Sequence, residues 1–407
     1  MLRRSRHDAL LIRVVSAAFG LASIHGACGR APQRLPVDAE QNTPSSAGDG
    51  GAADLPPGTD RGANMQTDGL PAQDTPSSAD GSPPPDTAPI SDGVVEGTPS
   101  ADAMLPSAGG GAWQRLPALP SVRQEHGVAV VNGQIFVVGG LAPAAARVDA
   151  YDPQTNVWTP HTNLPVGVDH PNVAGVGDKL YLLGGTQTSD VFEYNPLAAP
   201  PDRRWTMKSA LPVARAAGAA GVIGNKVLLA GGRGGGVTAG VDLQIYDTAA
   251  DTWQASSRGE LPPLPVGRNH LAGVVADGLF FVIGGRSVST TSTLYNRVDV
   301  YDPVARSWSE RAPMPTRRGG VSAGVAAGLI IAVGGEGNDR GLNANGVFPQ
   351  TEAFSPRANT WVSLAPMMTP RHGLGVAGIG DKLYVPGGGT VQDLGGASDA
   401  FDVLSPY

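Results

Sequence analysis

Cysteine is nearly absent from this sequence, since Cys28 is the single one among 407 residues. Disulfide bonds and thiol chemistry are therefore excluded for the part of the chain that follows it. Long apolar runs are missing too, because the best candidate, residues 14–24, is too short to span a bilayer as a helix. The glycine-rich stretch at residues 231–236 lacks the lysine and the helix that follow a phosphate-binding loop. We accordingly expect no cofactor.

Charge is scarce and unevenly distributed. The whole chain carries a formal charge of −7, whereas residues 29–111 hold three Arg against twelve Asp or Glu residues and carry −9. With +3 on residues 1–28, about −1 is left for residues 112–407. A nearly neutral domain lacks the basic surface that nucleic-acid binding needs, so we expect no nucleic-acid partner.

The N-terminal residues predict export. Four arginines precede the apolar run and small residues precede Cys28, which is the pattern of a lipoprotein-type signal peptide over residues 1–27. We expect a lipid anchor on Cys28, with an ordinary secretory signal as the alternative. The protein would then sit in the bacterial cell envelope, and Gly29 in place of an aspartate favours the outer membrane. Residues 28–111 are rich in Pro, Ser, Gly and Asp and predict a disordered tether.

A short apolar strand that stops on two glycines recurs six times in residues 112–407. The first glycines of the pairs are Gly139, Gly184, Gly231, Gly284, Gly334 and Gly387, at intervals of 45, 47, 53, 50 and 53 residues. A strand of small residues and a tight turn precede each pair, and in the first five copies a strand beginning at Trp follows. A period near 50 residues that contains only short strands predicts a β-propeller.

The repeat resembles the kelch repeat, whose marks are the paired glycines and a Tyr separated by six residues from a Trp. Three pairs have this spacing: Tyr151 with Trp158, Tyr246 with Trp253, and Tyr301 with Trp308. The resemblance implies an all-β, six-bladed kelch-type β-propeller over residues 112–407. Its Trp and Tyr residues are expected to pack between blades rather than to hold a cofactor.

The ring of blades is predicted to close with strands from both ends of the domain. Trp113 precedes the first Gly-Gly pair, while residues 404–407 have the sequence of a third strand. We therefore expect the strand at Trp113 to complete the last blade, which removes an exposed sheet edge.

One regularity of the repeats is not explained by packing. Sixteen residues before the first glycine, the copies have Arg123, Val168, Arg215, Arg268, Arg318 and Arg371. Two positions further on they have Glu125, His170, Ala217, His270, Gly320 and Gly373. Both positions lie just ahead of the innermost strand and hence next to a mouth of the central channel.

These positions predict a binding site. In kelch propellers that this chain resembles, arginines at this place line a shallow pocket for acidic ligands. Converging guanidiniums would also focus a positive potential and suit carboxylates or phosphates. The predicted ligand-binding residues are Arg123, Glu125, His170, Arg215, Arg268, His270, Arg318 and Arg371. The alternative is that the arginines bond backbone carbonyls and hold neighbouring blades together.

No metal site is predicted. The four histidines near these positions stand 13, 14, 14 and 15 residues before the first glycine of their repeats. Because these offsets differ, we do not expect the histidines to face one point, as the ligands of a metal ion must.

Two functions are compatible with these features. We favour a non-catalytic module of the cell envelope that binds a protein or glycan ligand, with an anionic ligand suited to the arginines. The alternative is an enzyme that resembles the periplasmic six-bladed sialic-acid epimerases of kelch type, which mutarotate a carboxylated sugar. Glu125 and either His170 or His270 would then carry the protons.

Overall fold

The computed structural model describes residues 105–141, 143–186, 188–234, 240–287, 293–337 and 345–407. The predicted signal peptide, Cys28 and nearly all of the predicted tether lie outside these residues. Within them, no helix is long and apolar enough to cross a membrane. The described chain is all-β, with short 3-10 turns at Pro201–Arg203 and Ser256–Arg258.

Six four-stranded antiparallel sheets form the blades of a β-propeller, as the repeats predict. Blade 1 has β2 (Gly127–Val131), β3 (Gln134–Val138), β4 (Val148–Asp152) and β5 (Val157–Pro160). Blade 2 has β6 (Asn172–Val176), β7 (Lys179–Gly185), β8 (Thr188–Tyr194) and β9 (Trp205–Lys208). Blade 3 has β10 (Ala219–Ile223), β11 (Lys226–Ala230), β12 (Leu243–Asp247) and β13 (Thr252–Ala255).

The other three blades repeat this order. A separate pair of two-residue strands, β14 (Arg268–Asn269) and β17 (Arg286–Ser287), accompanies blade 4. Blade 4 has β15 (Ala272–Ala276), β16 (Leu279–Ile283), β18 (Val298–Asp302) and β19 (Ser307–Arg311). Blade 5 has β20 (Ser322–Ala326), β21 (Leu329–Val333), β22 (Thr351–Ser355) and β23 (Thr360–Ser363). Blade 6 has β24 (Ala377–Ile379), β25 (Lys382–Pro386), β26 (Phe401–Ser405) and β1 (Ala112–Arg115).

The ring closes where the sequence predicts. β1 pairs antiparallel with β26, and Trp113 lies opposite Leu404. Trp113 Nε1 donates a 2.9 Å hydrogen bond to Ala365 O, just beyond the last strand of blade 5. Leu105 packs on the apolar cluster that blades 5 and 6 share. The propeller therefore includes residues that the sequence analysis placed in the tether.

The core lies at the interfaces between adjacent blades. The second strand of a blade is covered on both faces and is a continuous apolar run, as in β21, where all five residues are buried. Such strands contribute to clusters that cross from blade to blade, for example the cluster shared by Phe136 and Leu182.

The Gly-Gly pairs join each blade to the next. Both glycines have positive φ, for example +66° at Gly231 and +104° at Gly232. A Cβ on Gly231 would lie 2.6 Å from Arg268 O, and Gly232 N donates a 2.9 Å hydrogen bond to the same carbonyl. Glycine alone adopts this backbone at this distance without strain, so the pair is a structural feature of the ring.

The Trp of each fourth strand also contacts the preceding blade. Trp253 stacks on Tyr246 with ring centroids 4.6 Å apart, and its indole nitrogen donates to Ser209 O. Five other indoles make the corresponding bond: Trp113 to Ala365, Trp158 to Pro117, Trp205 to Thr162, Trp308 to Pro262, and Trp361 to Ala312. The predicted packing role of these residues is confirmed.

Candidate functional site

The five repeat arginines do not line the channel mouth. Their residues are 0–1% exposed. Each guanidinium pairs with an acidic side chain of its own blade, and the pairs are Arg123–Asp149, Arg215–Asp242, Arg268–Asp299, Arg318–Glu352 and Arg371–Asp402. The structure contradicts the predicted ligand-binding role of these arginines, because their charged groups are enclosed within the blades.

Backbone carbonyls complete the surroundings of each guanidinium. Arg318 Nε donates a 2.6 Å hydrogen bond to Gly334 O, and Arg371 Nη1 donates one of 2.6 Å to Gly387 O. These carbonyls belong to the Gly-Gly strand of the same blade. Burial lowers the pKa of Arg371 to about 10, so the group stays a cation at neutral pH. The contacts support the structural alternative, although the side-chain bonds stay within one blade.

Blade 2 lacks the arginine and its acidic partner together. Val168 stands at the arginine position, and Phe192 occupies the strand position that Asp299 has in blade 4. Val168 and Phe192 are buried in one apolar cluster. The ion pair is thus replaced as a unit by apolar side chains, which a structural pair permits.

The residues two positions after the arginines form a closed ring, which we call the mouth ring. Its members are Glu125, His170, Ala217, His270, Gly320 and Gly373. The N–H of each donates to the carbonyl of the corresponding residue in the preceding blade, over 2.6–3.3 Å. All six have φ between +51° and +60°, and all six line one cavity of about 170 Å³. The ring fixes the backbone from which the side chains at this mouth extend.

Three predicted site residues meet on the mouth ring. His170 Nε2 lies 3.0 Å from Glu125 Oε2, and the rings of His170 and His270 are 5.1 Å apart, edge to face. Glu125, His170 and His270 are only 6–8% exposed. The expectation that the histidines do not face one point is therefore wrong for His170 and His270. It holds for His126, which lies against Pro386 O.

Charged residues surround these three side chains. His170 Nδ1 and Asp169 Oδ1 are 2.5 Å apart, which places the Nδ1 proton toward Asp169. Arg233 Nη2 lies 3.3 Å from each ring nitrogen of His170. Arg286 Nη2 donates to His270 Nε2 over 3.0 Å. Each of the two histidines therefore has a guanidinium group close to its ring nitrogens.

Glu336 and His372 extend the network to blades 5 and 6. Glu336 Oε1 accepts a 2.7 Å hydrogen bond from Arg286 Nη1, and Glu336 Oε2 accepts one from Asp393 N. His372 Nδ1 lies 3.3 Å from Glu336 Oε2, while its Nε2 donates to Val391 O. Side chains from all six blades therefore converge at this mouth.

Burial sets the protonation of the mouth. It raises the pKa of Glu125 to about 8, with the charge of Glu336 adding to the rise. Burial also lowers the pKa of His170, and it lowers that of His270 well below its ordinary value with help from Arg286. The raised pKa favours the protonated form of Glu125, whose hydroxyl can donate to His170 Nε2 across 3.0 Å. Asp169, His170 and Glu125 form a hydrogen-bonded chain along which a proton can move.

Sequence reasoning missed Arg233, Arg286 and Glu336. Each directly follows a Gly-Gly pair, and the six residues at that place are Leu141, Thr186, Arg233, Arg286, Glu336 and Gly389. The residue type at this position varies between blades although the position in the repeat is fixed, and this variation could have indicated a functional role. Arg233 is exposed and the Arg286 side chain is 21% exposed, so both present cationic groups at the mouth.

The rest of the channel is lined mainly by small and apolar residues. A second cavity, of about 390 Å³, is lined along the innermost strands by Val130, Ala220 and Val222, and at its end by turn residues such as Gly133 and Gly278. Reactive and charged side chains are instead concentrated around the mouth ring.

Comparison with known proteins places the repeats among described kelch sequences. The KLHDC2/KLHL20/DRC7 Kelch-repeats domain matches residues 171–388, and the Kelch motif matches residues 123–165. The Kelch-like protein terF of Aspergillus terreus is 30% identical over 324 residues, which cover 73% of this chain and 68% of that protein. Beta-scruin of Limulus polyphemus is 27% identical over 208 residues, 47% of this chain and 22% of the relative.

Among solved structures, that of YjhT has the same fold. Its TM-score is 0.56 at 19% sequence identity, with 71% of this chain and 96% of that chain covered. At this identity the likeness concerns the fold alone. The chain covers about two thirds of terF but less than a quarter of beta-scruin.

Proposed function

Because the chain belongs to the kelch-repeat family, whose domains generally bind protein partners, we propose that its propeller is a binding module for a protein or glycan ligand at the bacterial cell envelope. The binding surface is the mouth that carries the mouth ring, together with Arg233 and Arg286. One observation carries this assignment. Two guanidinium groups remain accessible there, whereas the five repeat arginines are enclosed.

The chemistry of the mouth favours an anionic group on the ligand. Arg233 and Arg286 follow equivalent Gly-Gly pairs in neighbouring blades, so a single carboxylate or sulfate can approach both. Arg233 contacts His170 and Arg286 contacts His270, and these neutral histidines compensate none of the positive charge. Glu336 restrains Arg286 and leaves Arg233 freer to move toward a ligand.

The test uses the full chain as bait in envelope extracts and on a glycan array. We expect captured ligands to be lost in the double variant Arg233→Ala/Arg286→Ala, by at least tenfold in affinity. Arg203→Ala is the matched control, since Arg203 is an exposed arginine away from the mouth. Equal capture by the wild type and the double variant would remove the mouth from the proposal.

Envelope attachment is tested separately. Labelled palmitate should enter the wild-type chain in a bacterial host and be absent from Cys28→Ser. Equal labelling of both chains would remove the lipid anchor while leaving the binding proposal intact.

A second candidate function is mutarotation of a carboxylated sugar. The hydrogen-bonded chain of Asp169, His170 and Glu125 favours it, because a carboxyl group with a pKa of about 8 can exchange protons near neutral pH. The adjacent Arg233 and Arg286 would hold the substrate carboxylate. Anomer exchange of N-acetylneuraminate, followed by NMR, should then be accelerated by the wild type and not by Glu125→Gln. A wild-type rate equal to that in buffer would end this candidate.

A further inference from the structure

Three members of the mouth ring offer a set of metal ligands. Glu125, His170 and His270 take the same ring position in blades 1, 2 and 4 and share its positive φ. One ligand atom from each lies within 4.8 Å of the others. All three residues are buried, so water competes weakly for these atoms.

The residue before each histidine fixes its tautomer. His170 Nδ1 is 2.5 Å from Asp169 Oδ1, and His270 Nδ1 is 2.6 Å from Asn269 Oδ1. Both Nδ1 atoms therefore carry the proton, and both Nε2 atoms are acceptors, which here face Glu125 and Arg233 in the case of His170 and Arg286 in the case of His270. Histidines that bind metals are oriented in this way, by a carboxylate or an amide on the other ring nitrogen.

We propose that Glu125, His170 and His270 bind a divalent transition-metal ion of the zinc class. Two imidazole nitrogens and one carboxylate form a donor set that such ions prefer and that Mg²⁺ and Ca²⁺ do not. Bonds of about 2.0–2.2 Å would place neighbouring ligand atoms a little over 3 Å apart. The 3.0 Å between His170 Nε2 and Glu125 Oε2 already matches that spacing.

His372 provides an independent observation. Its side chain is fully buried, and its Nδ1 makes no hydrogen bond within the described residues. That atom lies 3.6 Å from Glu125 Oε1, while Nε2 donates to Val391 O and so holds the ring in place. This nitrogen, which also lies 3.3 Å from Glu336 Oε2, is outside the set of three ligand atoms, but it is a buried acceptor next to Glu125 without a donor among the described residues.

The charges at the mouth permit a cation. A metal would bind Glu125 as its carboxylate and release the proton, so that the three carboxylates of Glu125, Asp169 and Glu336 would face the two guanidiniums of Arg233 and Arg286. A metal on His270 Nε2 must displace Arg286 Nη2 from that atom. Arg286 Nη1 can remain on Glu336 Oε1, at 2.7 Å, while this happens. Arg233 is exposed and can turn outward.

Metal binding is tested on the untagged full chain after treatment with a chelator. We expect one equivalent of Zn²⁺ by calorimetry, and with Co²⁺ a visible spectrum of the intensity typical of four- or five-coordinate nitrogen and oxygen ligands. Glu125→Gln and the double variant His170→Gln/His270→Gln should each weaken binding by at least tenfold. Asp169→Asn, which touches only the Nδ1 side of His170, should weaken it about 10–100-fold.

His161→Gln is the matched control, because His161 lies on another part of the propeller beside Tyr194. It should bind Zn²⁺ as the wild type does. Wild-type protein that retains no Zn²⁺, or that gives the weak spectrum of aqueous Co²⁺, overturns the proposal without any variant. Stoichiometric binding that survives both ligand variants overturns it as well. No protein or glycan ligand is needed, so this result is independent of the proposed function.

Discussion

Arg215 and Arg233 belong to the same blade and flank the same Gly-Gly strand, yet their surroundings are opposite. Arg215 is 1% exposed, pairs with Asp242 and donates to the carbonyls of Leu229 and Gly231. Arg233 is exposed and contacts a neutral histidine. Arg215 therefore pairs with buried polar groups inside its blade, while Arg233 lies at the channel mouth, where side chains of all six blades meet.

The difference shows that residue type and repeat position do not assign a role. A guanidinium that extends into its own blade finds an acidic partner and the carbonyls at the end of the Gly-Gly strand. An arginine that directly follows the Gly-Gly pair, such as Arg233, has its guanidinium at the channel mouth. The structural arginine occupies a repeat position that is Arg in five of the six blades. The candidate binding arginine occupies a position whose residue type varies between blades.

The largest effect is expected from removing a buried arginine. Arg215→Ala leaves Asp242 buried without its cation, and breaking such a pair costs about 3–5 kcal/mol of unfolding free energy. Urea denaturation measures the loss. Arg233→Ala in the same blade serves as the comparison, and a loss below about 1 kcal/mol for Arg215→Ala would contradict the structural assignment.

The next effect concerns pH. The Glu125 carboxyl has a pKa of about 8 when folded and 4.5 as a free group, mainly because of burial and of Glu336, against the opposing charges of Arg286 and Arg233. The folded state therefore binds a proton that the unfolded state releases, and stability falls as pH rises from 4.5 to 8. The free energy of unfolding can fall by at most about 1.4 kcal/mol per pH unit through this one group.

Histidines complicate the lower part of this window. The pKa values of His170 and His270 are lowered by burial, so the unfolded state binds protons more readily than the folded state. The stability that the neutral histidines contribute is therefore lost as pH falls below about 6.5. We therefore compare the wild type with Glu125→Gln between pH 6.5 and 8, in the presence of a chelator. The fall in stability with pH should be smaller in the variant. Parallel slopes would show that Glu125 is ionised in the folded protein.

A smaller effect is expected when the pair is replaced as in blade 2. Arg318→Val alone strands Glu352, whereas Arg318→Val/Glu352→Phe copies Val168 and Phe192. Replacing a buried ion pair by apolar residues is often neutral, so the double variant should recover most of the stability that the single variant loses. Thermal unfolding measures both. A double variant less stable than the single one would contradict the comparison between blades.

The smallest effect is expected at the mouth. Arg233→Ala should change the unfolding free energy by no more than about 0.5 kcal/mol, as exposed substitutions usually do. Its effect should appear in binding of the anionic ligand, which should also weaken as salt is raised. A large loss of stability in Arg233→Ala would place this arginine with the buried ones.

The fold could be predicted almost completely, while the site could be predicted only in part. The Gly-Gly strands, their spacing and Trp113 indicate six blades and the closing strand, because each is a local signal repeated along the chain. Glu125, His170 and His270 were found because they occupy one repeat position. The five arginines were assigned to the same mouth in error, since the spacing of a residue in sequence does not give the direction of its side chain.

The sequence by itself determined the number of blades, the strands within them and the closure of the ring, because the hydrophobic pattern and the glycines act within one repeat. Tertiary structure decided which polar residues meet. Arg286 and Glu336, or His170 and His270, come from different blades and approach only when the ring closes. The left-handed backbone of the mouth ring and the acidic partners inside the blades then direct the histidines and Glu125 to the channel mouth and the repeat arginines away from it.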